Sequence, residues 1–391
     1  MAAHGTVVVA GAGLAGSRTA ETLRAEGFTG RILLVGEEPL AAYERPALSK
    51  DYLAGAVSFD RLLLRPPGFY AEREIEHLTG RRVTAVDLRG RRAELDNGCE
   101  LAWDALVLAT GGRARRLGVP APRGVHVLRT LADADALRAE LHPGRRLAIV
   151  GGGFVGAEAA STAASLGVDV VLIDTRRPLE RVVGTGVAEI LTERFRVAGV
   201  QLRRSSSVVG FRSGAGGRLR ALRLADGDEV ACNAALLGIG AEPASELLPS
   251  LRASDGGISV DACGRTRYPD VYAAGDVASA WRPWLGARLR VEHWTSAAAQ
   301  AKAVARAILG VESPDTALPY FWSDQTGLRL QYVGHAPQPA RVEIDGNPQA
   351  FRADYFSHHG RLSAVLLANQ PREVAAARQA LVAEAALPAA A

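Results

Sequence analysis

Thr6–Glu37 reads TVVVAGAGLAGSRTAETLRAEGFTGRILLVGE. A β-branched run, Val7 to Val9, feeds the turn Gly11-Ala12-Gly13-Leu14-Ala15-Gly16, which matches G-x-G-x-x-G. A helical pattern follows, then a second apolar run from Ile32 to Val35, ending in acid at Glu37, 21 residues past Gly16 (37 − 16). Each part has a mechanical reason. Gly11 permits the tight turn, Gly13 lets the backbone approach a pyrophosphate, and Gly16 lets helix and strand pack closely. The helix N-terminus faces the phosphates, and Glu37 can accept from ribose hydroxyls. The stretch predicts a strand–turn–helix–strand unit that binds a dinucleotide.

Further along, the theme repeats. Arg146 to Val150 reads as a strand, Gly151-Gly152-Gly153-Phe154-Val155-Gly156 is a second G-x-G-x-x-G, and the strand Asp169 to Ile173 ends in acid at Asp174, 18 residues past Gly156 (174 − 156). Two complete units are far more specific than one. A third signal, Tyr268-Pro-Asp-Val-Tyr-Ala-Ala-Gly275-Asp276, ends a strand in Ala-Gly-Asp, where Asp276 is placed to accept from sugar-like hydroxyls.

The chain has 391 residues, 48% of them hydrophobic, enough for a core of about two or three domains. No apolar stretch approaches the roughly 20 residues of a membrane helix, and no secretory pattern precedes the first strand. A cytoplasmic protein is expected. Cys99, Cys232 and Cys263 are too scattered for a dithiol centre or a zinc ribbon, and the eight histidines lack metal-site spacing. The adjacent His358 and His359 would point to opposite faces of a strand. Formal charge is +4 and the pI about 9.1. No aromatic-interleaved basic motif suggests nucleic acid, and an acidic protein partner is the economical reading of the arginine excess. Lysine occurs only at Lys50 and Lys302. A lysine in a chain that otherwise writes its cations as arginine suggests a site that prefers a compact ammonium.

Between these signals, Ser49-Lys50-Asp51 is expected to begin a short helix. Residues 75–108 read as strands with a turn at Asn97-Gly98, ending in the buried-looking Leu106 to Thr110 and an open Gly111-Gly112. Gly118 to Arg129 reads as a linker, and a helix is expected from Leu131 to about Leu141, another from Ser296 to Leu309. Past residue 313 aromatics and strand patterns dominate, then a helix from about Glu373 to Glu384 and a frayed LPAAA tail. The fold class is α/β, with two Rossmann-like domains and a C-terminal α+β domain.

VAGAGLAG, RPALSK, LVLATGG, IVGGGFVGAE, VYAAGDVA and PYFWSDQ together carry a resemblance over essentially the whole chain. It resembles the FAD-dependent, pyridine-nucleotide-dependent ferredoxin reductases of aromatic-ring dioxygenases and cytochromes P450, which share the glutathione-reductase-like fold. The resemblance implies a discontinuous FAD domain over 1–112 and 238–312, a nicotinamide-nucleotide domain over 113–237 and a last domain over 313–391. It implies one non-covalent FAD held by Gly11, Gly13, Leu14, Ala15, Gly16, Glu37, Arg45, Pro46, Lys50, Val83, Ala109, Thr110, Gly111, Arg129, Gly275, Asp276, Glu292, His293 and Trp294, with Trp322 contributing from the last domain. The nucleotide set would be Gly151, Gly153, Phe154, Val155, Gly156, Glu158, Asp174, Gly238 and Gly240. Lys50 would lie by the flavin N5, paired with Glu158. In many relatives the motif reads R-P-P-L-S-K; here Ala47 stands for the second proline.

On that reading hydride passes from NADH to FAD and electrons leave singly for an iron–sulfur ferredoxin. Disulfide reductases of this fold need a thiol relay beside the flavin, and residues 38–50 hold no cysteine. NADH is expected over NADPH because Asp174 accepts from a free 2′-hydroxyl and repels a 2′-phosphate, although Arg176 and Arg177 follow. Two other readings remain open. One is an NADH oxidase or a reductase of quinone or monodehydroascorbate, recognised by fast turnover without ferredoxin. The other is a redox-sensing flavoprotein, like relatives of apoptosis-inducing factor, recognised by slow reoxidation and nucleotide-driven assembly.

Overall fold

The first strand, Thr6–Ala10, is buried on both sides. Alternate residues of a strand face opposite ways, and here they feed two different cores. Val7 and Val9 join one cluster with Ile32, Leu34, Ala105 and Val107. Val8 and Ala10 join another with Leu33, Val35, Leu106 and Leu108. That is why these strands read as unbroken apolar runs: a central parallel strand has no solvent face. Each such Val or Leu contributes about 1.5–3 kcal/mol on burial. The computed structural model describes residues 5–386, so the expected fraying of LPAAA lies outside the described residues.

The chain forms two compact units. The first comprises the chain up to Glu44, Leu62–Arg113 and Glu242–Pro319. Its parallel sheet runs, edge to edge, Val271–Ala273, Ala105–Leu108, Thr6–Ala10, Arg31–Gly36 and Ile75–Thr79. Helices Leu14–Ala25 and Trp294–Ile308 pack against each other over it. An antiparallel trio, Val83–Asp87, Arg92–Leu95 and Glu100–Ala102, turns at Asn97-Gly98, where Gly98 takes φ +81°. The unit also buries an ion pair between Arg282 and Asp315, whose side chains are 2% and 4% exposed. Among the described residues Arg282 Nε and Nη2 have no hydrogen-bond partner. Asp315→Ala would leave that guanidinium buried and uncompensated, so it is expected to cost about 3–5 kcal/mol in urea unfolding. A loss under 1 kcal/mol would refute this.

The second unit comprises Arg45–Arg61, Ala114–Ala241 and the chain from Tyr320 on. Its parallel sheet runs Gln201–Arg204, Asp169–Asp174, Arg146–Val150, Ala234–Leu237 and Val125–His126. The last pair sits within the expected linker. Its C-terminal portion is a five-stranded antiparallel sheet in the order Tyr320–Gln325, Leu328–Gly334, Leu362–Ala368, Ala350–Phe356, Arg341–Asn347. Helix Val374–Ala386 packs on it through Ala377 and Leu381. One expectation is corrected here. The short helix does not begin at Ser49; a 3₁₀ turn spans Arg45–Ser49 and ends there. Pro46 suits a first helical turn, where its fixed φ fits and no N–H is needed. The histidines 358 and 359 lie in a turn rather than a strand. Among the described residues no helix is long and apolar enough to cross a membrane.

Candidate functional site

Both glycine turns have the same construction, each within its own unit. Gly11 takes φ +114°, and a Cβ there would stand 2.1 Å from the Ala109 carbonyl oxygen. Gly151 takes φ +99°, with a virtual Cβ 2.4 Å from the Gly238 oxygen. A Cβ on Gly16 would meet the Gly11 oxygen at 1.8 Å, and one on Gly156 the Gly151 oxygen at 1.9 Å. These four positions are glycine because the protein itself leaves no room. Gly13 and Gly153 differ: a Cβ on either has nothing within 4 Å. Their φ of −73° is open to any residue, so neither the backbone nor a neighbouring group of this chain requires glycine there.

The helix ends at these glycines are bare. Helix Leu131–Arg138 starts with a full capping box, Thr130 and Asp133. Helices Leu14–Ala25 and Phe154–Ser165 start at Gly13 and Gly153 with no capping side chain and no acid in the first turn. The first N–H groups of a helix have no partner within it and carry the positive end of its dipole. Two uncapped ends beside two open glycines fit pyrophosphate-bearing groups.

In the first unit, Leu14 and Ala15 form the first helical turn, and a Cβ on Gly275 would meet Ala15 Cβ at 2.8 Å. Gly275 N–H donates to Gln300 Oε1 at 2.9 Å, and the Asp276 carbonyl accepts from Arg290 at 3.3 Å. Thr110 Oγ1 donates to the Ala244 carbonyl at 2.6 Å, beside Gly111 at φ +69°. His293 is the N-cap residue of helix Trp294–Ile308, where its side chain makes no capping bond to the helix, and Glu292 before it pairs with Arg290. Glu37 follows the strand Arg31–Gly36 with its side chain 70% exposed and Arg82 3.7 Å away. Val83, by contrast, is buried at the head of the antiparallel trio.

In the second unit, Asp174 closes its strand beside the glycine turn. Its Oδ2 accepts from Gly152 N–H at 2.6 Å and Oδ1 from Arg176 N–H at 3.0 Å. Next to it opens a cleft of about 730 Å³ lined by Arg176, Arg177, Arg203, Arg204, Ser205 and others. Arg177 is paired with Glu180 and Glu189, and Arg203 with Asp228. Gly238 donates to the Val150 carbonyl at 2.8 Å, and Gly240, at φ +99°, accepts from Arg115 N–H at 3.0 Å. Val155 is exposed, while Phe154 packs edge-on against Phe321 at 4.5 Å. Phe321 in turn stacks on Tyr332, whose phenol burial pushes up.

Lys50 and Glu158 meet: Nζ lies 2.8 Å from Oε2. Ser49 Oγ donates to the same oxygen at 2.5 Å, and Ser323 Oγ to Oε1 at 2.7 Å. Glu158 is only 5% exposed. A buried carboxylate needs its lone pairs filled, and three donors, one of them charged, do so. Arg45 Nη1 donates to the Arg129 carbonyl at 2.6 Å and Arg129 N–H donates to Asp133 at 3.1 Å, so these two also stand together. Trp322 lies on the other face of its strand, tilted against Tyr320 at 6.3 Å, with Arg378 over the Tyr320 ring. Sequence reasoning missed Ser49 and Ser323. The available signal was in YFWSDQ: Phe321, Ser323 and Gln325 share the buried face, and two polar residues on such a face need partners.

The three cysteines are free thiols. Burial pushes Cys232 and Cys263 up to about 11, well away from a reactive thiolate. Among the described residues no cluster suits a metal ion.

The family model for pyridine nucleotide-disulphide oxidoreductases matches residues 5–301, and the reductase C-terminal model matches residues 320–391. The ferredoxin–NAD(+) reductase component of a biphenyl dioxygenase system from Paraburkholderia xenovorans is 39% identical, over 88% of this chain and 85% of that protein. The corresponding subunit of a benzene 1,2-dioxygenase system from Pseudomonas putida is 38% identical, over 98% of this chain and 93% of its own. Among solved structures, the covalent putidaredoxin reductase–putidaredoxin complex matches with a TM-score of 0.93 and 34% identity, covering 97% of this chain and 93% of that one. A ferredoxin reductase for the CYP199A2 system of Rhodopseudomonas palustris matches at 0.90 and 32%, over 94% and 92%.

Proposed function

The chain belongs to the pyridine nucleotide-disulphide oxidoreductase family, and from that premise and its two bare helix ends we infer that it is an FAD-dependent ferredoxin reductase. It is an oxidoreductase that takes a hydride from a nicotinamide nucleotide and delivers electrons to an iron–sulfur ferredoxin serving a dioxygenase or cytochrome P450. The observation that carries this reading is the pair of open, uncapped glycine turns. One cradle serves FAD and the other the nicotinamide nucleotide.

Bound FAD supplies a carrier that accepts two electrons together and releases them singly. The remaining tasks fall to side chains and main chain. On this reading one FAD is held without a covalent bond by Gly11–Gly16, Ala109–Gly111 and Gly275-Asp276, over 1–112 and 238–312, while 113–237 bind the nucleotide. Lys50, steadied by Glu158, sets a positive charge at the flavin and favours its anionic reduced form. No cysteine falls within residues 38–50 and the three thiols are scattered, two of them buried, which supports direct exit of electrons to the partner without a sulfur relay. The net charge of +4 supports an acidic ferredoxin, with on-rates that fall as salt rises.

The decisive experiment is anaerobic. NADH should bleach the flavin of the purified holoprotein, and an added [2Fe–2S] ferredoxin should then be reduced with recovery of the oxidised flavin spectrum. A flavin that NADH does not bleach refutes the reading.

The nucleotide is NADH. The Asp174 carboxylate is fixed by two main-chain donors at the strand tip, where it meets a free 2′-hydroxyl well and a 2′-phosphate badly. NADH should exceed NADPH in kcat/KM by at least about tenfold, roughly 1.4 kcal/mol. Asp174→Ser should erase most of that preference, since Arg176 and Arg204 remain in the neighbouring cleft. Equal efficiency with both nucleotides in the parent protein would refute the assignment.

A further inference from the structure

Glu158, Ser161 and Thr162 stand at i, i+3 and i+4, so they share one face of helix Phe154–Ser165. Thr162 Oγ1 donates to the Ser49 carbonyl at 2.8 Å, and Ser161 Oγ accepts from Thr326 N–H at 2.7 Å. These two bonds tether the Lys50 segment and the Tyr320–Gln325 strand to the helix through their main chains. They do so without the Ser323 side chain. That hydroxyl is therefore surplus to holding the strand, yet it is fully buried and aimed at the Glu158 carboxylate.

Its direction is fixed from behind. Gln325 Nε2 donates to Ser323 Oγ at 3.1 Å, and Gln325 is 3% exposed. A serine hydroxyl has one proton; with Oγ accepting from Gln325, that proton goes to Glu158 Oε1. The opposite oxygen, Oε2, carries both Lys50 and Ser49. Without the Ser323 donor, Oε1 is buried and unpaired, and the terminal torsion of Glu158, broad by nature, is no longer fixed. Lys50 then loses its anchor, because it meets the same carboxylate.

We propose that Ser323, backed by Gln325, is a positioning residue for hydride acceptance: it locks Glu158 and thereby holds the Lys50 ammonium in its working position. This rests on the reading of Lys50 as the cation at the flavin.

The test uses FAD-loaded Ser323→Ala, Ser323→Thr and Lys50→Met. It measures the limiting rate of flavin bleaching by NADH in anaerobic stopped flow, the apparent Kd for NADH, and the midpoint potential of bound FAD. Ser323→Ala should lower the limiting rate about tenfold, leave the Kd within about twofold, and shift the oxidised–reduced equilibrium by up to about tenfold, or about 30 mV more negative. Lys50→Met should move rate and potential in the same direction by at least as much. Ser323→Thr, which restores the hydroxyl, should return both to within about twofold of the parent. A merely structural serine would change stability and not potential. If Ser323→Ala leaves rate and potential unchanged while Lys50→Met moves both, the proposal is overturned and the reading of Lys50 stands. If Lys50→Met moves neither, that reading falls and the proposal with it.

Discussion

Gly153→Val abolishes reduction by NADH and leaves the yellow, folded protein otherwise intact. The expectation comes from the empty space around this residue. Nothing lies within 4 Å of a Cβ at Gly153, and its backbone is in a region open to every residue. The protein therefore pays only the loss of a good N-cap, at most about 1–2 kcal/mol. The ligand bears the rest, because the valine methyls occupy the approach of the pyrophosphate to the helix end. Affinity for NADH should drop at least about a hundredfold, near 2.7 kcal/mol. Dithionite should still bleach the flavin, and the chemically reduced protein should still reduce ferredoxin. NADH titration of the flavin spectrum makes the measurement; a Kd within about threefold of the parent would show that the second turn does not hold the nucleotide.

Gly16→Val gives the second large effect, for the opposite reason. Its Cβ would sit 1.8 Å from the Gly11 carbonyl oxygen, a main-chain atom inside the turn that the helix cannot avoid. Side-chain repacking cannot relieve such a contact, so the loss should reach the exceptional range, on the order of 4 kcal/mol or more. The expected product is colourless or insoluble, with under about a tenth of the parental flavin per chain. Gly13→Val separates the two effects: with no neighbour near its Cβ, it should fold and still lack FAD. Near-UV circular dichroism and flavin absorbance distinguish these outcomes. A Gly16→Val protein that is yellow and as stable as the parent would refute the steric account.

The glycine turns were legible in the sequence because each depends on single residues meeting local demands. A positive φ or a main-chain contact under 2 Å admits one residue type, and the spacing repeats. The apolar runs were legible for a similar reason, since both faces of a central parallel strand are covered. The short helix expected from Ser49 is instead a 3₁₀ turn over Arg45–Ser49, because Pro46 suits a first helical turn. Val125–His126 was hidden inside a proline- and glycine-rich stretch because two residues carry no period; pairing with Ala235 and Leu236 makes them a strand. The contacts of Glu158 with Ser49 and Ser323 span 109 and 165 residues. No pattern of spacing encodes such a meeting. Only the polar residues on a buried strand face hinted that something was waiting for them.

Main-chain N–H groups and absent side chains build both cradles, and this limits what they can recognise. Such a grip feels a guest's doubly charged middle and is blind to its two ends. On the proposed function, the choice between one cofactor and its close relatives falls to the periphery, to strand-tip residues such as Glu37 and Asp174. Preference can consequently be retuned by one or two surface-near changes, with the grip itself untouched.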